Sequence, residues 1–171
     1  MSSPGALSAR DQYGQRWSSP FLAPERTECS LAGVWLYFLP GAFTPVCSRE
    51  LTALPPLATQ LSEPGVGRRV VAVASVAVPR VLAAQLWGAE DPATGSAGPI
   101  PLLSDFWPHG AIAESFQAFD PATGKPLRHS VLLDRAGVER ARVTGSALQP
   151  REHTEHLRLA QEQFGETPPL C

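Results

Sequence analysis

Apolar positions fall along this chain in short runs separated by proline and glycine, a rhythm that predicts strands alternating with helices. Gly33–Leu39 (GVWLYFL) is an unbroken β-branched and aromatic run, the pattern of a strand covered on both faces, and Pro40 ends it. The spacing of Val46, Leu51 and Leu54 then suits a short helix over 45–54, with Thr44 as N-cap and Pro45 in its first position. Two missing amide donors at Pro55-Pro56 are expected to break or kink that helix, and a second helical fragment follows through Leu61.

Further on, Arg69–Ser75 reads as another buried strand and Pro79–Trp87 as a helix opened by its proline. Ile100–Leu103 is strand-like and Pro108–Phe116 a short helix. Ser130–Asp134 and Val138–Val143 flank Arg135-Ala136-Gly137, which is a hairpin signal. A last helix covers roughly 150–164, and a tail with two prolines follows it. Near the start, Asp11–Gln15 is a polar turn that Arg16-Trp17 continues as a short hairpin. The pentapeptide Asp-Pro-Ala-Thr-Gly occurs at 91–95 and again at 120–124. With no similarity around the copies, these are two turns of one composition, not a duplicated domain. Strands and helices in this order predict an α/β fold with a mixed central sheet and helices on both faces.

Composition narrows this picture. The 171 residues fit one domain, and 43% hydrophobic content supports a real core. A net charge of −2 gives no electrostatic reason to expect nucleic acid or a membrane as partner. Neither a signal-peptide core nor a membrane-spanning run is present, and the odd count of three cysteines argues against a closed disulfide framework. A reducing, cytoplasmic setting is the expectation, and there a cysteine in polar surroundings is a candidate for catalysis or redox chemistry.

Cys47 is that cysteine. It sits at the predicted helix start among Thr44, Ser48, Arg49 and Glu50. A thiolate at a helix N-terminus is favoured by free amide donors and by the positive end of the dipole. Thr44 lies three residues before it, so its hydroxyl can turn toward the sulfur or a substrate, and Pro40 is placed to shield the sulfur from water. A cation is still needed. Arg49 is the local candidate, though it reads more readily as a solvated helix residue, and Arg128, just before the 130–134 strand, is a second.

Pro40, Thr44 and Cys47 compose Pro-x-x-x-Thr-x-x-Cys, which resembles the active-site motif of peroxiredoxins. Glu50 falls where that family usually has an acidic residue, and Arg128 in Leu127–Asp134 matches its distal arginine. Leu102–Gly110 resembles a segment of the one-cysteine, alkyl hydroperoxide reductase E type, and the match covers roughly residues 9–160. The resemblance implies one thioredoxin-like domain over 1–171, with a core of about 9–164 and a tail at 165–171. It further implies thiol-dependent reduction of hydrogen peroxide and organic hydroperoxides through a sulfenic acid at Cys47. Thr44, Arg128 and Pro40 line the reaction, Glu50 orients the arginine, and no cofactor or metal takes part. A homodimer is expected on the same ground. A non-turnover redox sensor using the same cysteine is the alternative.

Resolution of the sulfenic acid stays open. Position 52, where some relatives carry a second cysteine, is threonine. Cys171 on the tail and Cys29 before the active-site strand are internal candidates, and an external thiol or a thioredoxin- or glutaredoxin-like protein is the other route. His153 and His156 stand three apart on the last helix without an evident third metal ligand, so they read as an exposed polar face. The tryptophans at 17, 35, 87 and 107 read as core.

Overall fold

A computed structural model describes residues 7–21, 31–41, 43–62, 68–75, 79–87 and 100–165. Its centre is a five-stranded sheet in the order β5-β4-β3-β8-β9. Strands β3 (Gly33–Leu39), β4 (Arg68–Ala74) and β5 (Leu102–Ser104) run parallel. Strands β8 (His129–Asp134) and β9 (Glu139–Thr144) join antiparallel, β8 against β3 and β9 against β8. Two small hairpins stand apart from it: β1 (Ser8–Arg10) with β2 (Arg16–Ser18), and β6 (Phe119–Asp120) with β7 (Lys125–Pro126). The mixed α/β sheet expected from the sequence is present.

All seven residues of β3 are buried, as its unbroken apolar run requires. Alternation splits the strand between two cores. Trp35, Tyr37 and Leu39 face helices α1 (Pro45–Ser62), α2 (Pro79–Trp87) and α4 (His153–Phe164). Val34, Leu36 and Phe38 face Trp17 of the first hairpin and helix α3 (Ala111–Ser115). The first hairpin is pinned by Asp11, whose carboxylate accepts from the Tyr13 and Gln15 amides, each at 2.9 Å, and from the Trp17 indole at 3.0 Å. Of the two Asp-Pro-Ala-Thr-Gly copies, 120–124 makes the β6–β7 turn, closed by Asp120 on the Ala122 amide and the Thr123 hydroxyl. The copy at 91–95 lies outside the described residues.

Helix α1 corrects one expectation. It runs unbroken for 18 residues with Pro55 and Pro56 inside. Each interior proline costs about 3 kcal/mol. Against that stand Leu51, Leu54, Leu57 and Leu61, all fully buried on one face and worth roughly 1.5–3 kcal/mol apiece. Packing therefore outweighs propensity. The Leu51 carbonyl, which Pro55 has no N–H to reach, instead accepts from the Trp87 indole of α2 at 3.3 Å. A proline pair read in sequence carries no sign of a donor arriving from 36 residues away.

Two further expectations change. Trp17 and Trp35 are buried and Trp87 is half-buried, but Trp107 is 84% exposed. His156 is fully buried and His153 half-buried, so the two histidines form no exposed face.

Candidate active site

The site lies where β3 gives way to α1. Thr44 caps the helix, its hydroxyl accepting from the Cys47 amide at 3.4 Å while its carbonyl accepts from Ser48 at 2.9 Å. Cys47 is the third residue of the helix and shares its buried face with Leu51 and Leu54. The thiol is fully buried, while Thr44 and Arg49 are exposed. Pro40 and Thr44 line a cavity of about 570 Å³, with Val46, Leu127, Arg128 and Leu148 among its other walls.

Arg128 arrives from the residue before β8. One terminal nitrogen, Nη2, lies 3.5 Å from Cys47 Sγ, and the other, Nη1, is ion-paired with Glu50. Its Nε donates to the Ser146 carbonyl at 2.7 Å. The guanidinium is thus held by Glu50 and Ser146 and aims one N–H at sulfur. Gly145 makes this possible: a β-carbon there would sit 2.9 Å from Arg128 Cδ and 2.9 Å from Arg151 Cγ.

Arg151, just before α4, is the residue that sequence reasoning missed. Its Nε and Nη2 grip the two Glu50 oxygens at 3.0 and 3.1 Å, and its amide donates to the same carboxylate at 2.9 Å. The guanidinium also lies over the Tyr37 ring, 3.5 Å from its centre. Burial opposes ionisation of Glu50, but the hydrogen bonds and charge of Arg151, joined by the charge of Arg128, hold its carboxyl below the usual range. Burial in turn pushes the Tyr37 phenol up, against the nearby Arg151 charge. Glu50 is the common carboxylate of two buried arginines 23 positions apart in the chain. The signal for Arg151 in the sequence is faint, since a buried arginine paired at a separation of 101 residues leaves no periodicity behind.

Thr44, Cys47, Glu50, Arg128 and Pro40 are therefore gathered at one place. Arg49 points to solvent, and His109 sits away from the thiol, 2.9 Å from the Gly124 carbonyl. Cys29 and Cys171 lie outside the described residues. Among the described residues no group of three or more His, Cys, Asp or Glu is arranged to hold a metal.

A buried helix-terminal cysteine under an arginine, on a sheet of this topology, is the arrangement that the resemblance to peroxiredoxins implies. Comparison with known proteins gives the same class. A model of the AhpC/TSA family matches residues 26–142, and the chain belongs to that family. It is 32% identical over 107 residues to alkyl hydroperoxide reductase E of Mycobacterium tuberculosis and of Mycobacterium bovis. That alignment covers 63% of this chain and spans 63% of the relatives' length. Among solved structures, Enterococcus faecalis AhpC superposes with a TM-score of 0.71 at 22% identity, covering 98% of this chain and 95% of that one. Mycobacterium tuberculosis peroxidoxin BcpB gives 0.69 at 21% identity, over 95% and 96% of the two chains. These likenesses carry the thioredoxin-like fold. The family match takes in Cys47, Glu50 and Arg128 but ends before Arg151.

Proposed function

We propose that this protein is a thiol peroxidase that reduces hydrogen peroxide and organic hydroperoxides through Cys47. The observation that carries the reading is the Arg128 Nη2 placed 3.5 Å from the sulfur by a guanidinium that Glu50 and Ser146 hold still. In the reaction the Cys47 thiolate attacks one peroxide oxygen along the O–O axis. The S–O bond forms as the O–O bond breaks, the electron pair leaves on the distal oxygen, and that oxygen takes up a proton to depart as water or an alcohol. Sulfur is oxidised to the sulfenic acid and the peroxide is reduced. Charge moves from sulfur to oxygen in this step. Arg128 and the Thr44 hydroxyl, whose own hydrogen is free while it accepts from the Cys47 amide, stand beside the sulfur to follow it, which favours the transition state over the resting thiolate.

The relatives' names as reductases support turnover over a relay role. The cavity is far larger than hydrogen peroxide needs, and its Val46, Leu127 and Leu148 walls suit the carbon skeleton of an organic hydroperoxide. The sulfenic acid is reduced by an external thiol or a thioredoxin- or glutaredoxin-like protein, or is first resolved by Cys171 or Cys29 to a disulfide that such an external thiol then reduces, in a cytoplasmic setting. A homodimer belongs to this reading, and the exposed Phe43, Phe106 and Trp107 are apolar surface that such a contact would cover.

Stopped-flow oxidation of the reduced protein is expected to run orders of magnitude faster than free cysteine, and Cys47→Ser to abolish it. A rate no better than a free thiol, or one that survives the substitution, sinks the reading. Mass spectrometry after one equivalent of peroxide then identifies the resolving route. Free sulfenic acid at Cys47 means an external thiol, and a disulfide to Cys171 or Cys29 names the internal one.

A further inference from the structure

The hydrogen-bonded chain that reaches Cys47 does not end at Arg151. Arg151 Nη1 donates to the Ser130 hydroxyl at 3.0 Å, and that hydroxyl stands 2.9 Å from His156 Nε2. The other ring nitrogen, Nδ1, lies 2.8 Å from the Glu152 carbonyl. A carbonyl only accepts, so Nδ1 carries the hydrogen and Nε2 is left to accept from Ser130. Ser130 thus gives its hydrogen to His156, which fixes the hydroxyl's orientation, and accepts from Arg151 through a lone pair.

Each link is buried: Glu50, Arg128, Ser130, Arg151 and His156 are all between 0% and 5% exposed. The register of the sheet puts the parts together. Tyr37 pairs with Ser130 across β3 and β8, so both face α4, and His156 descends between Tyr37 and Trp35 with ring centres at 5.4 and 4.7 Å. The charged and titratable groups that face it are Arg151 and Glu50 at the site, Tyr37 on β3, and His153 on its own helix, with ring centres at 6.2 Å. Burial, with Arg151 and His153 beside it, pushes the imidazole down to about 4 against the pull of the Glu152 carbonyl, so it is a neutral acceptor at physiological pH.

We propose that His156 is a positioning residue for Cys47: through the Ser130 hydroxyl, its neutral imidazole fixes Arg151, and Arg151 fixes the Glu50 carboxylate that aims Arg128 at the sulfur. The inference rests on the peroxidase reading, since it concerns how the arginine is aimed at a reacting peroxide. Neither the motif nor the family match, which ends at residue 142, includes His156.

The test compares two reactions of one thiol. Oxidation by hydrogen peroxide needs Arg128 aligned with the O–O bond, whereas alkylation by iodoacetamide, compared per thiolate at a pH where the thiol is fully ionised in each protein, needs only access to the sulfur. His156→Leu, which removes the acceptor, is expected to slow peroxide oxidation roughly tenfold, the scale of a small misplacement in a catalytic constellation, and to leave alkylation within about twofold. His156→Gln, whose amide oxygen can still accept from Ser130, is expected to recover most of the loss. Should His156→Leu fail to fold, Ser130→Ala removes the same link and carries the same expectation. Peroxide rates equal to wild type in the Leu and Ala variants overturn the inference, and so does a parallel fall in both reactions. A wild-type protein that is itself no faster than free cysteine overturns the peroxidase reading, and this one with it.

Discussion

At the scale of single residues, Glu50 is the member whose removal costs most. Glu50→Gln leaves Arg128 and Arg151 buried with no carboxylate between them, and breaking a buried pair in this way costs about 3–5 kcal/mol. The expected result is a large fall in the urea midpoint together with at least a tenfold loss of peroxide rate; a stability loss under about 1 kcal/mol refutes the account. Gly145→Ala is the subtler probe. Its new methyl meets the stems of both arginines, which are pinned at their heads and cannot swing away, so peroxide oxidation is expected to fall about tenfold while far-ultraviolet circular dichroism is unchanged. The half of the site within the 40–50 stretch is legible in the sequence because strand end, cap, proline and cysteine follow one another locally. Arg128 is legible as one candidate cation ahead of a strand, and the family pattern singles it out. Arg151, Ser130, Gly145 and His156 leave no such trace, because each owes its role to a partner on another element.

Among the elements, α1 is where local rules lost to packing. Trp87→Phe removes the donor that covers the Leu51 carbonyl, and an orphaned, partly buried carbonyl costs about 1–2 kcal/mol. The loss is expected to shrink when Pro55 is first replaced by alanine, whose amide supplies the donor from within the helix. Urea unfolding of the four proteins measures the coupling, and an identical Trp87→Phe cost in both backgrounds would refute it. Strand positions were easier to read than this helix. The two-sided burial of β3 is written in its composition, whereas the continuity of α1 depends on four leucines meeting a sheet whose position the sequence does not state.

For the whole molecule, the buried imidazole sets a dependence on acid. A folded value of about 4 against an ordinary 6.5 means that the unfolded chain binds the proton first as pH falls. Stability is thus complete above about 6.5 and declines toward 4. The contribution of His156 between pH 7 and 5 is about 2 kcal/mol. His129 and His153, lowered chiefly by burial, act in the same direction. Glu50 adds its own loss at lower pH, because its folded carboxyl titrates below the usual 4.5. Urea midpoints at pH 7 and pH 5 are expected to fall further for wild type than for His156→Gln, and equal falls would contradict this.

The bond from Arg151 back to Glu50 spans 101 residues, and this has a consequence for the protein as it is made. Chains lengthen at about 5–20 residues per second, so Cys47 and Glu50 leave the ribosome roughly 5–20 s before their partner exists. Through that interval the cysteine is an uncradled thiol on an unfinished sheet. Only when the segment carrying Arg151 and His156 docks does the carboxylate acquire its second grip. On the peroxidase reading, reactivity toward peroxide is then the last property the nascent chain gains, and its appearance marks the moment the two ends of the fold have met.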